Sequence, residues 1–263
     1  MVTLILYIMV GYIGINFSDS LAKPFNIALA LMPAMLWFVF SHWRERFVQE
    51  PRRRLSTIFI TSALVANAIG IPLLETLAPE QWLSATGTID KVIGYAVTVG
   101  IVQEMLKYLV VRYTVSGILN IRLDSVAYCA ASAIGYVTVI NLHLAFTGTP
   151  SPDVTAIRIF SNTALHMSTS ALIAFGFSEV QFNPKVFFVM PLTMVFSAFI
   201  TGIAIAARSS MVNANFFLGH SATRPIMGLL FSVGLVTAIM LTVGFLFSNL
   251  EKREQETVAG REV

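Results

Sequence analysis

The feature that most constrains this chain is a succession of apolar runs of bilayer length, separated by short polar stretches. A span takes about 20 mostly apolar residues, and hydropathy with its polar punctuation marks where each run ends. Eight runs emerge, near Val2–Phe17, Phe25–His42, Leu55–Leu77, Val92–Arg112, Ser125–Phe146, Ile157–Phe177, Val186–Ala207 and Pro225–Phe247. They predict an all-α fold, a polytopic membrane helix bundle of about eight transmembrane helices. Residues 1–247 make one transmembrane domain, and 248–263 a polar tail that frays from the last helix. The longest loops fall at Ala78–Lys91 and Arg208–Arg224. Phe216 and Phe217 in the second of these read as a short interfacial helix.

Composition enters as an exclusion. Only 12% of the 263 residues are charged, about half the share in an average soluble domain. A soluble globule, a disordered chain and a nucleic-acid binder are excluded, and the lipid bilayer is the first expected partner. The single cysteine, Cys129, lies inside an apolar run, so neither an intrachain disulfide nor a cysteine-based metal site is on offer. The first run lacks a basic leader and a small-residue cleavage site, and reads as a retained span.

Lysine and arginine set the expected orientation. One side collects Arg44, Arg46, Arg52, Arg53 and Arg54, then Arg112, Arg122, Lys185, Lys252, Arg253 and Arg261. The other has Lys23, Lys91, Arg158, Arg208 and Arg224. Eleven against five predicts both termini in the cytoplasm, with Arg44, Arg46 and Arg52–Arg54 as topology anchors. The Arg52–Arg54 run also has the chemistry of a lipid-headgroup or partner contact. No internal repeat of the transporter kind is visible, which weighs against a third reading, a transporter or lipid-binding protein.

Ionisable side chains in mid-bilayer cost about 2.5–3.5 kcal/mol on insertion scales and mark function or specific packing. The fourth run holds Gln103, Glu104 and Lys107, spaced to share one broad helical face with Tyr108. The fifth opens at Asp124 and ends in Ile140, Asn141 and His143; the last of these is placed to reach the interface. Ala127, Ala131 and Gly135 give that run a small-residue stripe for close helix approach. The sixth carries Arg158 at its outer end and a row of His166, Ser170 and Ala174. The expected polar cluster is Gln103, Glu104, Lys107, Asp124, Asn141 and His166. Neither an H-E-x-x-H zinc helix nor a G-x-S-x-G elbow is present.

The order of these elements resembles the PrsW family of intramembrane metalloproteases, relatives of the CAAX-processing proteases. Family members show a Glu-Glu-x-x-Lys helix, an Asp-initiated helix ending in Gly-Phe-Ala-x-x-Glu-Asn, an Arg-led helix with a His, and a final His four residues before an Asp. Here the matching stretches are Gln103-Glu104-Met-Leu-Lys107, then Asp124 running to Gly135 and Val139-Ile140-Asn141, then Arg158 with His166. They make a family-like core of about residues 92–207. The resemblance implies a bacterial cytoplasmic membrane and, in active members, a metal held by Glu and His.

The departures bear on activity. Gln103 stands for the first Glu and Ile140 for the Glu before Asn141, and the seventh run has no His, Asp or Glu near Val195–Phe199. Glu104 and His166 remain as ligands, short of the three that catalytic zinc takes, and no carboxylate is left as base. The expectation is a catalytically degenerate scaffold, without cofactor, working with other membrane protein subunits. The gamma-secretase scaffold subunit is similar in its Gln-Glu pair and Val-Ile-Asn ending. The alternative is an active protease with zinc on Glu104 and His166, those two residues being catalytic.

Overall fold

The computed structural model describes residues 2–11, 13, 18–44, 52–115, 119, 122, 124–147, 151–211 and 225–259. Among them all regular structure is helical. The α-helices are α1 (Val2–Gly11), α2 (Asp19–Arg44), α3 (Arg52–Val65), α4 (Ile71–Leu77), α5 (Pro79–Leu83), α6 (Thr88–Tyr95) and α7 (Ile101–Val115). After them come α8 (Asp124–Thr147), α9 (Pro152–Phe182), α10 (Val189–Met211) and α11 (Pro225–Ala259). Two π-helical turns, Ala66–Gly70 and Ala96–Gly100, join α3 to α4 and α6 to α7.

Among the described residues six segments are long and apolar enough to cross a bilayer: Ser20–Val39, Arg53–Leu83, Thr88–Val115, Asp124–Thr147, Val189–Ala207 and Gly228–Asn249. The all-α polytopic bundle read from the sequence therefore stands. The difference from eight runs lies in α1 and α9. Helix α1 is apolar but has 10 residues, which is about 15 Å of rise and half the hydrocarbon thickness. Helix α9 has 31 residues and is ample in length. It falls short in hydropathy because it is rich in Ser, Thr and Asn. Its neighbours explain why that is tolerated: α1, α2, α7, α8, α10 and α11 all pack on it, so its polar groups meet other helices rather than lipid. Burial follows the same plan, with 72% of the α8 span inside the bundle against 17% of the α11 span.

Close approach between spans relies on small residues. A Cβ at Gly135 would run into the Phe59 carbonyl oxygen, so glycine is what lets α8 meet the α3 backbone. Beside it, the Ser62 hydroxyl donates to the Ser132 carbonyl at 2.8 Å, and the Ser132 hydroxyl donates to the Lys107 carbonyl at 3.1 Å. These bonds tie α3, α8 and α7 at one level.

Three local expectations change. The loop expected at Ala78–Lys91 is mostly helix, because Pro79 starts α5 and Leu83 plugs a pocket of Leu74, Tyr95, Val99 and Ile205. The polar tail stays helical to Ala259. Arg158, expected at an outer helix end, is buried at 3% exposure. Arg44 closes α2, and Arg52, Arg53 and Arg54 open α3, so this basic group stands at one membrane face. Arg46, Phe216 and Phe217 lie outside the described residues.

Candidate functional site

The polar residues of α7 point inward: Gln103, Glu104 and Lys107 are each at most 2% exposed. The Lys107 ammonium donates to Glu104 Oε1 at 2.8 Å, to Ser170 Oγ at 3.0 Å and to His166 Nδ1 at 3.2 Å. Lysine has three N–H donors and no acceptor, so its donors are fully used. With the ammonium donating, His166 Nδ1 accepts, and the ring proton sits on Nε2. The Tyr136 ring of α8 lies 5.8 Å from the His166 ring. A Cβ at Gly70 would collide with the Tyr136 hydroxyl, so the first π turn abuts the same place.

A second polar node is built around Asn141. Its Nδ2 donates to Thr163 Oγ1 at 3.4 Å, and Asn162 Nδ2 donates to its Oδ1 at 3.3 Å. Asn162 lies one turn before His166, so the node adjoins the Lys107 cluster along α9. Asp124 is not brought to either. It begins α8, and Ser132, which bonds the Lys107 carbonyl, is about 12 Å further along the helix. His143 sits within 3.5 Å of Glu75 Oε1, where the helix nears its end.

Several partners were not singled out from the sequence, namely Tyr136, Asn162, Thr163 and the role of Ser170. A signal was available, because Arg158, Asn162, His166 and Ser170 recur every fourth residue and so share one face of α9. That polar row is the seam on which α7 and α8 close.

A family model described as the PrsW family intramembrane metalloprotease matches residues 50–202, more than half of the chain. The chain belongs to the PrsW family. The match takes in α3 to most of α10 and so contains the whole Lys107 cluster. Comparison with curated proteins and with solved structures gave no match.

PrsW membership implies a metal, and the residues present do not fit one. Catalytic zinc takes three protein ligands and keeps a position for water. Among the described residues no three His, Cys, Asp or Glu side chains come together to hold an ion. The Lys107 ammonium is itself a cation within hydrogen-bonding distance of both Glu104 and His166, where it opposes a second positive charge. Ile140, in the place of a family Glu, packs in an apolar cluster with Ala66, Ile71 and Tyr136. On α10 the inward hydroxyls are committed, Ser197 to the Thr169 carbonyl at 3.1 Å and Thr201 to the Ser197 carbonyl at 3.2 Å.

Proposed function

We propose that this PrsW-family protein is a catalytically inert relative, retained as a scaffold or assembly subunit of a complex in a bacterial cytoplasmic membrane. The observation that carries this reading is the seating of the Lys107 ammonium between Glu104, His166 and Ser170. Metal-assisted peptide hydrolysis needs an ion to polarise water and a base to take its proton. Here the one carboxylate of the cluster already faces an ammonium through Oε1. What such a cluster does well is define which faces of α7, α8 and α9 meet. Interhelical polar contacts in lipid average only about 0.6 kcal/mol, but stranding one member of a buried ion pair costs about 3–5 kcal/mol. The pair therefore penalises wrong packing more than it stabilises the right one, which suits a subunit that must present a fixed surface to partner subunits. No cofactor belongs to this reading.

One observation favours the alternative, an active protease with a relaxed ligand set. Glu104 Oε2 and Gln103 Nε2 are buried without a hydrogen-bond partner among the described residues, and unmet polar atoms of this kind are uncommon. Metal analysis of detergent-purified protein separates the two. The scaffold reading expects far less than one equivalent of zinc, and co-purifying subunits whose association Glu104→Gln leaves in place or only weakens. Equimolar, chelator-removable zinc overturns it, as does cleavage of a single-span substrate that both Glu104→Ala and His166→Ala abolish.

A further inference from the structure

A cavity of about 720 Å³, lined by no residue of the Lys107 cluster, has α9 as its floor and α2 and α11 as its walls. Its size is that of a small-molecule site. On α9 it follows a stripe from Ala156 to Met167, about 16 Å of rise, or one leaflet of the hydrocarbon layer. The lining is apolar apart from Thr3, Thr163 and Thr237. Two of those hydroxyls are engaged, Thr163 by Asn141 at 3.4 Å and Thr237 by the Val233 carbonyl at 2.9 Å. Water needs two to four polar partners to stay in such a space, so the lining suits a hydrocarbon group better.

The position of α1 decides between a peptide helix and a lipid chain. Leu6 packs on Leu29, Ala30, Ala145, Ala156 and Ile159, covering one end of the α9 stripe, and Val2 and Thr3 close that end of the cavity. A helix crossing the whole bilayer along this groove would have to pass through α1. A chain entering from the opposite membrane face meets no such block. That face is the one bearing the basic group. Trp37 lines the cavity and stacks on Phe59, ring centroids 5.8 Å apart and nearly parallel. Phe59 stands about 8–10 Å along α3 from Arg52–Arg54.

We propose that this groove holds one acyl chain of an anionic phospholipid, whose phosphate headgroup is drawn to Arg53 and Arg54. Clustered arginines at a membrane face attract anionic headgroups, and here they stand above an apolar slot one leaflet deep. The site is independent of whether the Lys107 cluster is inert.

Trp37 is a built-in reporter. The protein carrying Trp43→Phe and Trp82→Phe keeps it as sole tryptophan, and is reconstituted in phosphatidylcholine vesicles containing brominated phosphatidylglycerol or brominated phosphatidylcholine. Trp37 quenching is expected to saturate at low mole fractions of the anionic lipid, with a preference of about fivefold for each arginine engaged. Ala164→Phe fills the slot and should return quenching to that of bulk lipid, with far-UV circular dichroism unchanged. Val236→Phe fills it from the α11 wall and replaces that variant if it fails to fold. Arg53→Gln with Arg54→Gln should abolish the preference for phosphatidylglycerol but leave chain entry. Equal quenching by both lipids in the unsubstituted slot, or quenching that ignores the filling substitutions, overturns the proposal.

Discussion

Exchange of the Lys107–Glu104 pair tests the account of the site most directly. The two groups are 2.8 Å apart and all but sealed from solvent. At an effective dielectric of about 20, two unit charges at that distance attract by about 6 kcal/mol, set against a desolvation cost of several kcal/mol for each ion. Glu104→Gln strands the ammonium and Lys107→Met strands the carboxylate, so each single substitution is expected to cost about 3–5 kcal/mol. The double substitution removes both charges and leaves a Gln–Met contact of similar size. It should cost less than either single change, as uncharged replacements of buried pairs often do. Reversible unfolding in mixed micelles, followed by far-UV circular dichroism against detergent composition, gives the three free energies of the cycle. A double variant as unstable as the sum of the singles would refute the claim that the two charges hold each other in the bundle.

Other substitutions address neighbouring parts of the argument. Ile140→Glu restores a family carboxylate within an apolar cluster and should destabilise by about 3 kcal/mol or more without adding zinc, measured by thermal unfolding and metal analysis. Gly135→Leu forces α8 away from the Phe59 backbone, and should abolish monodisperse elution from a sizing column where Ala127→Leu, less deeply buried, does not. Ser132→Ala removes the hydroxyl bonded to the Lys107 carbonyl; a loss near 0.6–1.7 kcal/mol, the range for polar contacts between membrane helices, is expected in the same micelle assay.

Much of the fold was legible because lipid leaves few options. A run such as Val186–Ala207, without a single charged residue, announces its span by composition alone, and α10 bears this out. The polar residues that mattered stood out for the converse reason: Glu104, Lys107 and His166 have no place in hydrocarbon unless they meet one another. What hydropathy reads poorly is a helix shielded by others. In α9 the residues Ser161, Asn162, Ser168, Thr169 and Ser170 lower the apolar signal, yet the surrounding helices make that harmless. Pairing across spans was also hidden. Nothing in the order of residues says that Ser170, rather than Asp124, completes the acceptor set around Lys107, since that depends on which turn of α9 lies opposite which turn of α7. The helical content of 79–83 was masked by a proline that reads as a loop signal but here begins a helix.

The π turn at Ala96–Gly100, closed by the Ile101 amide on the Ala96 carbonyl, has a consequence for how the cluster is aimed. Such a turn spends one residue more than an α-helix would on the same stretch. Everything beyond it therefore lags by about 100° behind where unbroken α-helical winding would place it. Gln103, Glu104 and Lys107 begin only three residues after Gly100, so the direction in which they face is set by chain length upstream. Forcing 96–100 into ordinary winding with no residue removed would swing the lysine off the histidine by that angle, whereas deleting a single residue there would absorb the turn and leave the cluster aimed as it is.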